Sequence, residues 1–318
     1  MVNLMALYVA RIGQVGSKLT TNKNICSSPG SKIFFLKKMY FPRGLDIIYL
    51  IKQIVLERGV IVGALVSIDW DFFIKEDLMM DFGHSESMNN DFLWGTRVTG
   101  FAAQGNNLLK MLQTNGKERE FWNRLRGMGF NFNDQTHLII TESHADAYDL
   151  VEYFTPTSII NFDSHSDLGY KGLKSLYNES VSCENWLGKS MIDFGPYYVD
   201  DVTLVYSNHT LEKNDTRFDE IIKKLSVDVK YEDDFFSDKP IEPDIDVIHV
   251  CRSGAWAPPW LDSKLFSFIK RSGCNIFNEY VKPRKLDYRS LYFQGKEQAK
   301  IFEAFLQNYD LLKTASLE

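Results

Sequence analysis

Three observations predict an α/β fold: apolar runs of strand length, amphipathic stretches at helical spacing between them, and no Pro-, Gly- or Ser-rich linker to divide the chain. The build expected is a three-layer α/β/α arrangement with a mostly parallel sheet. Residues 46–57 (DIIYLIKQIVLE) repeat apolar side chains at helical spacing. Arg58-Gly59 then leads into residues 60–68 (VIVGALVSI), a continuous apolar run typical of a strand covered on both faces. Helical patterns occupy 106–113 and 118–126, followed by a strand at 136–141 (THLIIT) and a helix at 145–154. Thr155-Pro156 breaks that helix ahead of the next strand, 157–162 (TSIINF). Strands are expected again at 202–207, 227–231, 246–251 and 274–280, and helices at 185–192, 218–225, 263–271 and 298–312. Residues 1–31 mix Gly, Ser, Thr, Asn and Lys without a repeating pattern and read as a poorly specified extension, leaving 32–318 as one domain.

Composition narrows the function classes. The 318 residues carry a formal net charge of −6 and no large Lys/Arg cluster, which argues against a nucleic-acid partner. The longest apolar run is too short to span a bilayer, and the first thirty residues lack the basic, apolar and small order of a secretory leader. Cys26, Cys183, Cys251 and Cys274 form no CxxC pair and read as free thiols of a reducing compartment, so a cytoplasmic location is expected. The 23 Phe, 15 Tyr and 6 Trp are read chiefly as core.

Three short segments, each at the end of a strand pattern, concentrate acids and histidines: SIDWDFF (67–73), TESHAD (141–146) and NFDSHSD (161–167). In extended chain, residues at i and i+2 point to one face, so Asp163, His165 and Asp167 form one series and Asp69 and Asp71 another. His144 stands past a third strand. The C-terminal ends of parallel strands are where open α/β sheets place their sites. A lone Asp there more often caps the next helix, and a lone His is more often a satisfied polar residue than a ligand. Four carboxylates brought together would repel one another or take up protons unless cations separate them. Mixed His and carboxylate donors suit manganese, iron or zinc, and two such ions acidify a shared water.

These residues resemble the six metal ligands of the ureohydrolase (arginase) superfamily: a strand-end His, a DxHxD segment and a DxD segment. ESHAD, NFDSHSD, CENWLGK and SIDWDFF are similar to a divergent branch that includes the peptide arginases. Those enzymes convert arginine residues of a ribosomally made peptide to ornithine, releasing urea. The resemblance spans residues 59–260 and implies two Mn2+ per chain. Asp69 and Asp163 would bridge them, His144 and Asp167 would complete one site, and His165 and Asp71 the other. It also implies attack of metal-activated water on the guanidinium carbon, with Asp167 orienting that water and moving its proton. The partner implied is an Arg-containing precursor peptide. Two departures stand out: DxD precedes DxHxD, which points to a permuted strand order, and Thr-Glu-Ser precedes the His where arginases have Gly-Gly-Asp. A metal-dependent deacetylase or other amide hydrolase, and a non-catalytic arginase-like binding protein, are the alternatives.

Further residues complete the expected site. Arg252 and Trp256 in CRSGAWAPPW would face substrate, although a packed loop would look the same. Asn185 could orient substrate and Trp186 line the rim with Trp260, or all three could cap and pack. A guanidinium needs a carboxylate partner; Glu279 is the first choice, with Glu142 and Asp246 as alternatives. His209, at a strand end, is positioned to shuttle protons, whereas His249, inside a strand, reads as core. His84 lies in a polar stretch that could form a lid but reads first as an ordinary surface histidine, and the acidic stretch 231–246 reads as a solvated loop able to attract a basic peptide.

Overall fold

The computed structural model describes residues 63–75, 89–241, 243–276 and 281–315, and among these no side chain is described for Asp246 or for residues 307–315. All of them belong to one compact unit, Gly44–Glu318. The strands are β1 (Ala64–Asp69), β2 (His137–Thr141), β3 (Ser158–Asp163), β4 (Asp201–Tyr206), β5 (Asp228–Tyr231), β6 (Ile245–Cys251) and β7 (Asn275–Ile276). The helices are α1 (Asn90–Ala103), α2 (Leu108–Met111), α3 (Phe121–Gly127), α4 (Asp146–Phe154), α5 (Leu173–Asn178), α6 (Trp186–Phe194), α7 (Asp219–Leu225), α8 (Glu232–Phe235), α9 (Asp262–Arg271) and α10 (Tyr288–Ala315). Expected elements that begin or lie at 46–62, the end of the last strand at 277–280, the extension at 1–31, His84 and Glu279 fall outside the described residues.

All seven strands are parallel, in the order β5-β4-β3-β1-β6-β2-β7. Helices cover both faces, which makes the three-layer α/β/α architecture. The order places the DxD strand, β1, directly beside the DxHxD strand, β3, so the sequence separation of the two motifs disappears in space. On the other side of β1 lies β6, and beyond it β2, which leads to His144.

The period-two alternation of the strands divides the core. Val66, Ile68, Ile140, Phe162 and Val250 face an aromatic layer with Trp70, Phe73, Phe121, Trp122 and Phe268. There the rings of Trp122 and Phe268 stack at 4.6 Å between centroids. Leu65, Ile139, Ile159 and Val247 face α4, α6 and α7 through Leu150, Val151, Leu187, Met191 and Ile221. Along this second face the strands change character as they approach their C-terminal ends. Leu65, Ser67 and Asp69 follow one another at every second position, as do Ile159, Asn161 and Asp163. Ser67 is paired in register with both Asn161 and His249, so a buried polar row lies level across β3, β1 and β6, below the acids.

Two differences from the sequence expectations have physical reasons. Helix α1 was not anticipated, because its apolar spacing is diluted by Gly95, Gly100 and three threonine or arginine positions. Its start is nonetheless marked by Asn89, whose side chain accepts the N–H groups of Asp91 and Phe92. The acidic stretch after β5 is not wholly a solvated loop: Glu232 opens α8 fully buried, held by Lys117 and Arg124 at 2.9 Å each. Charge pairing inside the fold, and not attraction of a partner, accounts for that acid.

Candidate metal centre

Asp69, Asp71, His144, Asp163, His165 and Asp167 converge at the C-terminal ends of β1, β2 and β3. Two sets of potential ligands emerge, Asp69–His144–Asp163 and Asp71–Asp163–His165, each with its donor atoms within 4.8 Å of one another. Asp163 belongs to both. The Nδ1 of His144 lies 3.3 Å from Asp69 Oδ2, 3.0 Å from Asp163 Oδ2 and 2.9 Å from Asp167 Oδ2. The Nδ1 of His165 lies 3.1 Å from Asp71 Oδ2 and 3.7 Å from Asp163 Oδ1. His165 has a side chain 32% exposed, whereas the other five are buried, so the cluster opens on the His165 side.

The convergence is achieved by turning, not by the extended alternation that the i, i+2 spacing implied. Asp69 ends β1 and accepts the N–H of Asp71 at 3.0 Å, starting a 3-10 turn over Trp70–Phe73. Asp163 ends β3 and accepts the N–H of His165 at 2.9 Å. Each is an aspartate turn, in which a short carboxylate captures the backbone two residues on and reverses the chain at the sheet edge. Asp167 then takes a left-handed conformation, φ 51°. Its carbonyl accepts the N–H groups of Leu187 and Gly188 at 3.1 Å each. Gly188 is required for this approach, since a Cβ there would stand 2.6 Å from the Leu168 carbonyl oxygen. The same helix, α6, sends the Trp186 indole N–H to Asp167 Oδ2 at 2.6 Å. From the next turn, Ser253, also left-handed at φ 49°, donates to Asp69 Oδ2 at 2.5 Å.

Burial and mutual proximity set the electrostatics of the metal-free cluster. Burial first, and Asp69 second, push Asp71 well above the ordinary carboxylate range. Burial and the charge of Asp163 push Asp167 up to about 8. Burial acts the same way on Asp163, but His144 and His165 overcome it and hold that carboxyl below its usual value. Burial would depress both imidazoles, yet the surrounding carboxylates raise each well above the usual histidine value. The protons that these carboxyls and imidazoles retain stand in for the positive charge a cation would bring.

The residues present fit a divalent metal. His144 Nδ1 and Asp71 Oδ1 are buried and make no hydrogen bond of normal geometry. A buried nitrogen faced by three carboxylate oxygens without a hydrogen bond is an uncommon arrangement, because such groups are ordinarily paired. A cation at that point supplies what they lack. The donor set of imidazole and carboxylate matches manganese, iron or zinc.

Other expected site residues are distributed more widely. Trp186 is fully buried and orients Asp167, so it contributes no surface to a substrate rim. Asn185 is also buried, accepting from Ser182 N at 2.8 Å and donating to Ser180 O at 3.0 Å. It shapes the loop before α6. Arg252 does not face outward: its guanidinium is gripped by Glu142 and Asp262 and donates to Lys282 O at 2.6 Å. The pairing engages Glu142, one of the carboxylates expected to receive a substrate guanidinium. Asp262 also binds Arg284, at 2.6 Å, so two internal guanidiniums share it. Trp256 and Trp260 are both partly exposed, and Trp260 packs against Trp94 at 5.3 Å. His209 lies half-buried in the turn after β4, whose Thr210 donates to Ser164 O at 2.6 Å. That turn thus packs on the DxHxD loop. Sequence reasoning missed Glu212, which takes the Ser166 N–H at 2.8 Å and the hydroxyls of Tyr170 and Tyr206, clamping the same loop from below. It also missed Ser67, whereas His249 is buried inside β6, as its place in a strand pattern indicated.

No family model, no curated protein and no solved structure matches this chain. No helix among the described residues is long and apolar enough to cross a membrane.

Proposed function

We propose that the chain is a dinuclear-metal hydrolase that removes the guanidino group of arginine side chains within a peptide, giving ornithine and urea. The observation that carries the metal half of this reading is the position of Asp163. One of its oxygens faces His144 at 3.0 Å and the other faces His165 at 3.7 Å, so a single carboxylate is shared between two ligand sets. Two divalent ions, Mn2+ foremost, would supply an acidified water and charge stabilisation at neutral pH.

The chain's own residues divide the remaining tasks. Asp69 and Asp163 would be shared between the two ions, His144 and Asp167 would complete one ligand set, and Asp71 and His165 the other. Asp167, held in place by the Trp186 indole N–H at 2.6 Å, is the carboxylate that would carry the proton. It accepts the proton of the attacking water and returns it to the departing nitrogen. The water oxygen joins the guanidinium carbon, the bond from that carbon to the side-chain nitrogen breaks, and both water protons end on that nitrogen, giving neutral urea and the ornithine ammonium. The half-exposed His165 side is the approach.

The choice of a peptidyl guanidinium rests on the resemblance of ESHAD, NFDSHSD, CENWLGK and SIDWDFF to the peptide arginases. Manganese-loaded protein incubated with arginine-containing peptides should release urea, with the peptide product carrying ornithine by mass spectrometry. Release of acetate from acetyl-lysine peptides without urea would replace the guanidine reading with that of an amide hydrolase.

A further inference from the structure

Beneath the metal centre runs a chain of buried polar side chains that the proposed reaction does not use. His144 Nε2 lies 2.8 Å from Ser67 Oγ, Ser67 Oγ lies 2.9 Å from His249 Nδ1, and His249 Nε2 lies 2.8 Å from Thr141 Oγ1. Thr141 donates its hydroxyl proton to the Ser143 carbonyl at 2.8 Å. Ser67, His144, Thr141 and His249 are all at most 2% exposed. We propose that His249 is a positioning residue for the metal centre, acting through Ser67 to fix His144 as the Nε2–H tautomer with its Nδ1 lone pair aimed at a divalent cation. The proposal rests on the metal reading above but adds a claim about hydrogen-bond polarity that can be decided separately.

A hydroxyl has one proton to give. Thr141 gives its proton to Ser143 O, so toward His249 it accepts, and His249 Nε2 must carry a hydrogen. His249 is fully buried and its two ring nitrogens face the hydroxyls of Ser67 and Thr141, not carboxylates, so an imidazolium would have no counter-charge there and the ring is neutral, bearing one N–H. Its Nδ1 is then an acceptor, and Ser67 donates to it. That uses the Ser67 proton, so Ser67 accepts from His144 Nε2–H. Each hydrogen bond of this row is made in one direction only. The last atom in line, His144 Nδ1, is the buried nitrogen without a hydrogen bond that faces three carboxylate oxygens. Ligating histidines generally have the other ring nitrogen held by a hydrogen bond, which sets tautomer and ring orientation. Here that partner is a serine whose own polarity is dictated by a second histidine on the neighbouring strand, in register with it.

Two measurements test this. Long-range 1H–15N NMR of the imidazoles in the metal-free protein should show neutral His249 with hydrogen on Nε2 and an accepting Nδ1. Hydrogen on His249 Nδ1 overturns the proposal whether or not metal binds. In parallel, Mn2+ affinity is measured by calorimetry for wild type, Ser67→Ala, His249→Leu and His249→Asn, with circular dichroism to establish folding. Ser67→Ala and His249→Leu should weaken Mn2+ binding by about 10–100-fold, the usual effect of losing such an outer partner. His249→Asn, which can keep an acceptor toward Ser67, should recover most of the affinity. Folded variants that bind as tightly as wild type overturn the proposal. A wild-type protein that binds no divalent ion overturns the metal reading, and with it the assigned purpose of the chain, while the NMR result still decides its polarity.

Discussion

Asp167 Oδ2 stands 2.9 Å from His144 Nδ1 and accepts the Trp186 indole N–H at 2.6 Å. The oxygen is thus aimed at the cluster by a donor from α6 on a fully buried ring. That ring also lies 4.8 Å from the His144 imidazole, centroid to centroid, so one tryptophan restrains two of the proposed ligands. The backbone contributes as well. A left-handed conformation at a residue with a Cβ costs on the order of 1–3 kcal/mol and persists where its surroundings enforce it. At Asp167 the enforcing contacts are the two N–H groups at the start of α6. Ser253, the other left-handed residue at the cluster, donates to Asp69. Strain is therefore concentrated at two positions that each hold a carboxylate in place.

Sharing of Asp163 makes the two ligand sets unequal in their response to mutation. Reconstitution with manganese followed by desalting is expected to leave about two ions per chain, the stoichiometry of a two-metal site. Asp163→Ala removes the common ligand and should leave close to none, whereas Asp71→Ala should retain about one. Elemental analysis gives the ratio directly. Undiminished manganese in Asp163→Ala would show that this carboxylate does not bridge.

Loss of either bridging acid should remove activity without removing the fold. Asp69→Ala and Asp163→Ala are expected to reduce urea release by ~10²-fold or more, as follows from loss of metal-activated water. Each also removes a negative charge from a buried acidic cluster, which relieves repulsion in the metal-free state. Against this stands the lost aspartate turn, a hydrogen bond of about 1 kcal/mol. The two effects oppose, so the metal-free melting temperature should change little. Full activity in either variant would overturn the ligand assignment.

Much of this architecture is legible in the sequence because its signals are strong and local. The strands at 136–141, 157–162 and 202–207 are apolar runs bounded by turn residues, and each appears within a residue or so of its expected bounds. Asp69, Asp71, Asp163, His165 and Asp167 announce themselves by spacing. What spacing could not convey is the pairing of partners distant in the chain. Ser67 and His249 look like ordinary strand residues until β1 and β6 are seen to be neighbours. Arg252 and Glu142 each resemble a substrate contact when considered alone, and together they satisfy one another. Trp186 resembles a rim residue because an indole suits both a surface and a core. The direction of its N–H is a tertiary fact.

The proton balance of the cluster gives a pH dependence with a definite sign. Asp71, Asp167, His144 and His165 all have raised values in the metal-free fold. Each therefore binds more proton folded than unfolded, and stability falls with rising pH across its window. For Asp167 the window runs from 3.8 to about 8, and for the histidines it extends upward from 6.5. Asp163 has the opposite sign, but its contribution is lost only as pH falls below 3.8. His249, depressed, opposes the trend only below 6.5. In a chelator, the melting temperature should accordingly decline from about pH 7 to about pH 9, where the raised groups dominate. Manganese should abolish the decline, since a bound cation takes the place of the protons. A flat metal-free profile over this interval would contradict the protonation pattern.

The final prediction separates a peptide from a free amino acid as substrate. An enzyme for free arginine must recognise an α-amino and an α-carboxylate group at the mouth of its site. A peptide enzyme cannot use those charges, since both are tied up in amide bonds, and must gain affinity from the flanking chain through backbone hydrogen bonds or aromatic contacts. Arg252, the cation expected near the mouth, is buried and committed to Glu142 and Asp262, so it does not offer itself to a free carboxylate. Trp256 and Trp260 both retain exposed surface, but only Trp260 packs against the satellite core, which leaves Trp256 for a flanking peptide. Remote contacts of this kind contribute to transition-state binding, so kcat/KM for arginine within a peptide should exceed that for free L-arginine by ~10²-fold or more. Trp256→Ala should narrow the gap by weakening the peptide reaction while leaving free arginine nearly unchanged. Side-by-side kinetics with urea as the common product decide the matter: equal or faster turnover of free arginine would sink the peptide reading and leave an enzyme for a small guanidino compound.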